Sequence, residues 1–260
     1  MFTTSFLVLP LFAGVFIALM AGVLSPLLLQ KRLALLSDGI THVAFAGIAL
    51  GLVLSVPPLL VAGALAIIAS YVLIGKHSLS GEVATALLLT AGVAIAVLTL
   101  SLATSLNTSI LSYLFGSIFL VTTTEVVLAG VASLATSILF INYRDRILLW
   151  MFNEEIALTK DVPVRYLQIG LATVSAVLIV FTIRLVGILL TTGIFVFPGL
   201  LGLAVGRSFK GVLIASIAFS LFAVSVGIIA SYVTNLPASA VIITVFFLVY
   251  GFMKTFERLS

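Results

Sequence analysis

The residues best equipped for chemistry lie in Ser37-Asp38-Gly39-Ile40-Thr41-His42. Asp38 and His42 are four apart, so on a helix they leave the same face, with Cβ atoms about 5–6 Å apart and within reach of one ion. A carboxylate and an imidazole are hard-to-borderline donors, suited to Mn²⁺, Fe²⁺ or Zn²⁺. A plainer reading has Ser37 or Asp38 capping a helix and His42 packed as a hydrogen-bonded polar residue. If a helix runs on from Lys31 at a membrane interface, Asp38 lies about 10 Å and His42 about 16 Å along it, at 1.5 Å per residue. A carboxylate held at that depth costs about 2.5–3.5 kcal/mol on insertion scales, so such groups usually face a cavity or a pathway.

Little else in the chain offers chemistry. Cysteine is absent, which removes disulfides, thiolate metal sites and cysteine nucleophiles. Gly206-Arg207-Ser208-Phe209-Lys210-Gly211 does not fit the phosphate-binding loop G-x-x-x-x-G-K-[ST], so if the protein is an ATP-driven pump, the ATPase must be another chain. The two histidines have no Ser/Asp set to form a catalytic triad. His77 sits in a polar loop and reads as solvated, while Glu82 favours a helix start through the macrodipole. Arg184 interrupts a long apolar stretch and marks an outer turn, or a gating contact. Gly47-x-x-x-Gly51 permits close helix contact.

The elements that must position these groups follow from composition. Apolar residues make up 63% of the 260 and charged residues 8%, against roughly 45–50% and 25% in soluble domains. There is too little polar surface for a soluble enzyme and too much hydrophobicity for disorder. The expected fold is all-α, a polytopic integral membrane bundle forming one domain over residues 1–260. Spans are expected at 6–29, 40–56, 59–74, 84–102, 125–141, 167–183, 186–205, 212–233 and 238–253, giving eight or nine crossings. The first run lacks the basic leader and cleavage site of a signal peptide, so it is expected to stay as a helix.

Nine spans with an external N-terminus put eleven of the 12 Lys and Arg residues on the cytoplasmic side, Arg184 being the exception. The C-terminus is then cytoplasmic. This asymmetry accounts for the net charge of +4 without a nucleic-acid partner; the surrounding partner is membrane lipid.

Two segments do not read as spans. Residues 106–124 are polar at both ends and too short in the apolar middle to cross, which fits a re-entrant or interfacial helix, with Thr122-x-x-Glu125 as a capping box for the next span. Residues 143–166 mix eight charges with Ile147, Leu148, Trp150, Met151, Ile156 and Leu158. That mixture reads as a short cytoplasmic surface helix docking a partner, or as a solvated connector with an interfacial Trp.

At these residues the chain resembles the membrane permeases of ATP-binding-cassette importers for zinc, manganese and iron, over nearly its whole length. Leu36-Ser37-Asp38-Gly39-Ile40-Thr41-His42 with Gly47 and Gly51 is similar to the family's Asp-Ala-(Ile/Leu)-Ser-His segment and the Gly-rich helix after it. Leu79-Ser80-Gly81-Glu82 stands in the place of a Ser-Glu-Asp-like loop, and Ser112-Tyr113-Leu114-Phe115-Gly116-Ser117 matches a Tyr-Leu-Phe-Gly segment. Phe152-Asn153-Glu154-Glu155-Ile156-Ala157 resembles the Phe-Asp-Pro-Glu-x-Ala stretch of the coupling helix that docks on the ATPase. Residues 186–190 with Pro198, and Ser231-Tyr232 through Leu236-Pro237, complete the pattern. Three departures stand out: Asn153 replaces an Asp, Asp161 stands where Gly is usual, and Pro198-Gly199-Leu200-Leu201 replaces a Pro-Ala-Ala-Thr-like run.

The resemblance implies a permease without its own ATPase motifs, and so no enzyme by itself. It implies a transported Zn or Mn ion rather than a bound cofactor, with Asp38 and His42 as metal ligands. It also implies coupling to ATPase subunits through Phe152, Asn153, Glu154, Glu155 and Ala157, and delivery of the ion by an extracytoplasmic binding protein. One Asp–His pair has too few ligands, whereas a homodimer would bring two carboxylates and two imidazoles to a twofold axis. The rival readings are a gradient-driven secondary carrier, for which the spans hold few proton-coupling groups, and a non-transporting scaffold.

Overall fold

The computed structural model describes residues 5–31, 33, 35–75, 81–102 and 112–259. All regular structure among the described residues is helical. In chain order the helices are α1 (Ser5–Gln30), α2 (Leu36–Val53), α3 (Pro58–Gly75), α4 (Gly81–Ser101), α5 (Thr123–Phe152), α6 (Glu154–Thr159), α7 (Val164–Val186), α8 (Thr191–Val205), α9 (Phe209–Thr234) and α10 (Ala238–Leu259). Residues 112–115 are also helical, and single 3₁₀ turns lie at Ile118–Leu120 and Ile188–Leu190. Lys76, His77 and Leu79-Ser80 fall outside the described residues, as does the first part of the 106–124 segment.

Eight of the nine expected apolar runs each form one helix, with corrected bounds, and the run at 186–205 is divided. Among the described residues seven helices are long and apolar enough to cross a membrane; the apolar helices Pro58–Val72 and Thr191–Val205 are shorter. The chain is a multi-pass membrane protein. Exposed apolar side chains such as Leu98, Ile141 and Leu248, each about two-thirds exposed, cover its flanks, as a lipid-facing surface requires.

The differences from expectation have local causes. Helix α2 starts at Leu36 rather than at residue 40, so Asp38 lies inside its first turn. Lys31 and Leu33 form turns instead of continuing a helix, so distances counted along one from Lys31 do not apply. Helix α2 stops at Val53 because Ser55 takes φ 57° and the Val56 N–H bonds the Gly51 carbonyl at 2.9 Å; Pro58 then opens α3, where its missing N–H costs nothing. The charged stretch from residue 143 does not leave the membrane as a loop. Helix α5 runs 30 residues, about 45 Å, so it passes beyond a hydrocarbon core of about 30 Å and keeps Arg144-Asp145-Arg146 exposed while burying Trp150 and Met151. The run at 186–205 is divided, because Gly187 at φ 80° fits its α-hydrogen against the backbone of residues 114–116, where any Cβ would collide.

Packing follows small residues, as expected where apolar surface gains nothing by leaving lipid. A Cβ on Gly47 or Gly51 would come within 2.6 Å of Ala62 Cα or Pro58 Cα, so both glycines are needed for α3 to lie against α2. Helix α1 packs between α8 and α9. There the Ser25 hydroxyl accepts from the Gly199 N–H at 2.7 Å and donates to the Val196 carbonyl at 3.3 Å, beside Pro198. The centre of the bundle is filled by Ile17, Met20, Ile40, Leu178 and Phe195, all less than 3% exposed.

Candidate metal centre and coupling surface

Asp38 does not cap its own helix. The N-cap of α2 is Leu35, with no side-chain capping bond, and Asp38 Oδ1 accepts from Thr192 Oγ1 of α8 at 2.6 Å. Four residues on, His42 is half-buried and its Nδ1 has no hydrogen-bond partner among the described residues. Neither a capping bond from Asp38 nor a hydrogen bond at His42 Nδ1 is present among the described residues. Helix α4 presses on the backbone here: a Cβ on Gly92 would stand 2.5 Å from the His42 carbonyl carbon, and one on Gly39 would stand 3.1 Å from the Thr85 carbonyl oxygen.

Both side chains are half-buried in the bundle. Thr192 lies in the first turn of α8, 13 residues or about 20 Å from Val205 at its other end. No three or more His, Asp or Glu side chains converge anywhere among the described residues. Asp38, held at one oxygen, and His42, with Nδ1 unengaged, stand one turn apart on α2.

The end of the bundle carrying Lys31 is built around α6. Asn153 Oδ1 accepts from the Ile156 N–H at 3.0 Å, so Asn caps this helix as Asp would. The helix closes with Val162 N–H on the Ala157 carbonyl (3.0 Å) and Asp161 N–H on the Leu158 carbonyl (3.2 Å). Asp161 sits at φ 53°, the left-handed conformation that glycine favours. Lys31 Nζ donates to the Trp150 carbonyl at 2.8 Å, lies 4.3 Å from the Trp150 ring centre and pairs with Glu154 at 3.4 Å. Gln168 of α7 reaches the other oxygen of Glu154 at 3.4 Å. Lys31, next to α1, and Gln168 of α7 thus meet at the Glu154 carboxylate of α6, and Lys31 adds α5 through the Trp150 carbonyl. Ala157 is fully buried and anchors α6, whereas Phe152, Ile156 and Leu158 are exposed apolar residues around it, and Asn153, Glu154 and Glu155 are exposed.

At the opposite end the capping box forms: Thr122 Oγ1 accepts from the Glu125 N–H (3.3 Å) and Glu125 Oε2 accepts from the Thr122 N–H (2.8 Å). Arg184 Nε approaches Glu125 Oε1 at 3.2 Å, its Nη2 donates to the Leu120 carbonyl at 3.2 Å and its guanidinium stands 5.6 Å from the Tyr113 ring centre. Arg184 therefore does more than mark a turn: it holds the 112–120 segment onto α5 and α7. Ser239 Oγ, donating to the Phe115 carbonyl at 2.8 Å, fixes the same segment to α10.

Sequence reasoning missed Thr192 and Gly92, which stand 154 and 50 positions from the residues they meet, with no local pattern to link them. It also missed Lys31 as a structural tie, although a lone basic residue next to a span end is the signal that could have found it.

The ABC 3 transport family matches residues 3–256. A probable metal transport system membrane protein of Thermotoga maritima is 27% identical over 97% of this chain and 90% of its own length. The high-affinity zinc uptake system membrane protein ZnuB of Buchnera aphidicola is 26% identical over 89% of this chain and 90% of its own. In structure the chain is similar to PsaBC from Streptococcus pneumoniae in complex with Fab, with a TM-score of 0.84, 21% identity and coverage of 95% of this chain and 91% of that one.

Proposed function

The chain belongs to the ABC 3 transport family, and from that premise we propose that it is the membrane permease of an ATP-driven importer of divalent metal ions, zinc or manganese, with iron as a further cargo. The observation that carries this reading is the half-buried Asp38–His42 pair, its carboxylate oriented by Thr192 and its imidazole Nδ1 unengaged.

Two copies related by a twofold axis would supply two carboxylates and two imidazoles, the four donors a tetrahedral ion takes. Binding there depends on the spacing of the two copies, so a movement that separates them releases the ion. The movement enters through α6. Exposed Ile156 and Leu158 on it, with Phe152 at the end of α5, offer apolar anchors to an ATPase, and the tie at Glu154 and Lys31 passes displacement to α1, α5 and α7. Eight or nine helices cross the inner or plasma membrane with the C-terminus in the cytoplasm, and an extracytoplasmic binding protein delivers the ion to the opposite face.

The test is uptake of Zn²⁺ and Mn²⁺ by the complex reconstituted with its ATPase. Asp38→Ala and His42→Ala are expected to abolish uptake while the complex still assembles and hydrolyses ATP. Normal uptake by both variants, or transport that survives ATP depletion under a clamped ion gradient, would overturn the reading.

A further inference from the structure

Between α1, α5 and α7 lies a half-open cavity of about 520 Å³ that the metal route does not use. Its wall is graded. Val23, Leu27 and Val174 make the apolar part, while one face of α5 runs from Thr136 through Tyr143 to Arg146, about 15 Å along the helix toward the end that carries Lys31. Tyr166 stands at the rim and is 76% exposed. Apolar, then aromatic, then basic over that distance is the order of one bilayer leaflet from acyl chain to headgroup.

Three features leave the cavity unfilled by the protein itself. Arg146 is exposed and rests 5.8 Å from the Tyr143 ring centre, and among the described residues no carboxylate lies within ion-pair distance of it. Trp150 is 3% exposed, and its indole N–H has no acceptor among the described residues. Gly170 lines the cavity, and a Cβ added there would meet nothing within 4 Å. Unlike Gly47 and Gly92, it makes no room for a neighbouring helix; what its missing side chain preserves is the cavity.

We propose that this cavity binds an anionic glycerophospholipid from the leaflet on the Lys31 side. An acyl chain lies along Val23, Leu27 and Val174 past Gly170, and the phosphate pairs with Arg146 at the aromatic rim. Basic pockets between helices on the cytoplasmic side are suited to anionic headgroups. The proposal needs only the membrane embedding and none of the metal-site residues, so either reading can fail alone.

Trp150 is the chain's single tryptophan, which gives a direct probe. The full chain is placed in phosphatidylcholine nanodiscs with increasing brominated phosphatidylglycerol or brominated phosphatidylcholine, and quenching of Trp150 fluorescence is followed. The anionic lipid is expected to quench about 5-fold more strongly at equal fraction, the selectivity one basic residue supplies at such a surface. Arg146→Gln should bring the ratio to about 1, whereas Arg207→Gln, which removes the same charge outside the cavity, should leave it unchanged. Gly170→Leu, which the backbone can accept, should reduce quenching by both lipids. Equal quenching by the two headgroups overturns the proposal. So does an equal effect of Arg146→Gln and Arg207→Gln, which would mean general surface attraction. If Gly170→Leu leaves quenching intact but disrupts self-association, the face belongs to a second copy and the lipid assignment is wrong.

Discussion

At Asp38 a hydroxyl from another helix decides between two roles a sequence allows. Held by Thr192 at 2.6 Å, the carboxylate cannot serve the free N–H groups of its own helix and points one oxygen into the bundle. If the pair holds the transported ion as proposed, Thr192 is a positioning residue. Thr192→Val is expected to weaken metal binding about 10–100-fold, the usual effect of losing an outer partner of a ligand, and Thr192→Ser should restore it; the concentration dependence of uptake measures both. Asp161 is a different kind of departure, a non-glycine residue at φ 53° closing α6. Asp161→Gly is expected to stabilise the chain by about 1 kcal/mol, since the strained conformation suits glycine. Thermal unfolding in detergent checks this, and unchanged or lower stability would show that Asp161 earns its place by another contact.

Among the elements, glycine placement separates helix contacts that cannot give from those that can. At Gly47 an added methyl would meet the backbone of Ala62 at 2.6 Å, whereas at Gly63 its nearest neighbour is a Val180 methyl at 3.8 Å. Gly47→Ala is therefore expected to destabilise by about 1–3 kcal/mol, and Gly63→Ala to be neutral or stabilising, in the same thermal assay. Equal effects would mean that the two helix pairs are similarly compliant. The junction at Glu154 is weaker than its appearance: Glu154 is about half exposed, so its ion pair with Lys31 contributes at most about 1 kcal/mol. Its value lies in geometry, since Lys31 also binds the Trp150 carbonyl and so keeps α1 in register with α5 and α6.

For the whole molecule, one end is tied by Arg184 and Glu125 and the other by Lys31 and Glu154, with the Asp38–His42 pair between them. An ATPase acting on the second end would move three spanning helices together. Phe152→Ala and Ile156→Ala are expected to weaken ATPase association by about 1–3 kcal/mol each, as for truncated interface anchors, without altering the chain's own unfolding, because both side chains are exposed. Co-purification and coupled uptake measure the loss. Full coupling in the double variant would place the docking surface elsewhere.

The sequence by itself determined that the chain crosses a membrane, where nearly every apolar run lies, and that Thr122 and Glu125 start a helix as a capping box. Those properties are local: they follow from hydropathy and hydrogen bonds three residues apart. The pairing of Asp38 with His42 was legible for the same reason, being one helical turn. Only the tertiary structure decided that Asp38 is held by Thr192, that Gly92 brings α4 onto the His42 backbone, and that α5 carries its helix past the charges at 144–146. It also decided that Ala157 anchors α6 while its neighbours face outward. Each of these depends on which helix lies beside which, and with uniformly apolar faces in lipid that choice rests on close packing of small residues rather than on any pattern along the chain.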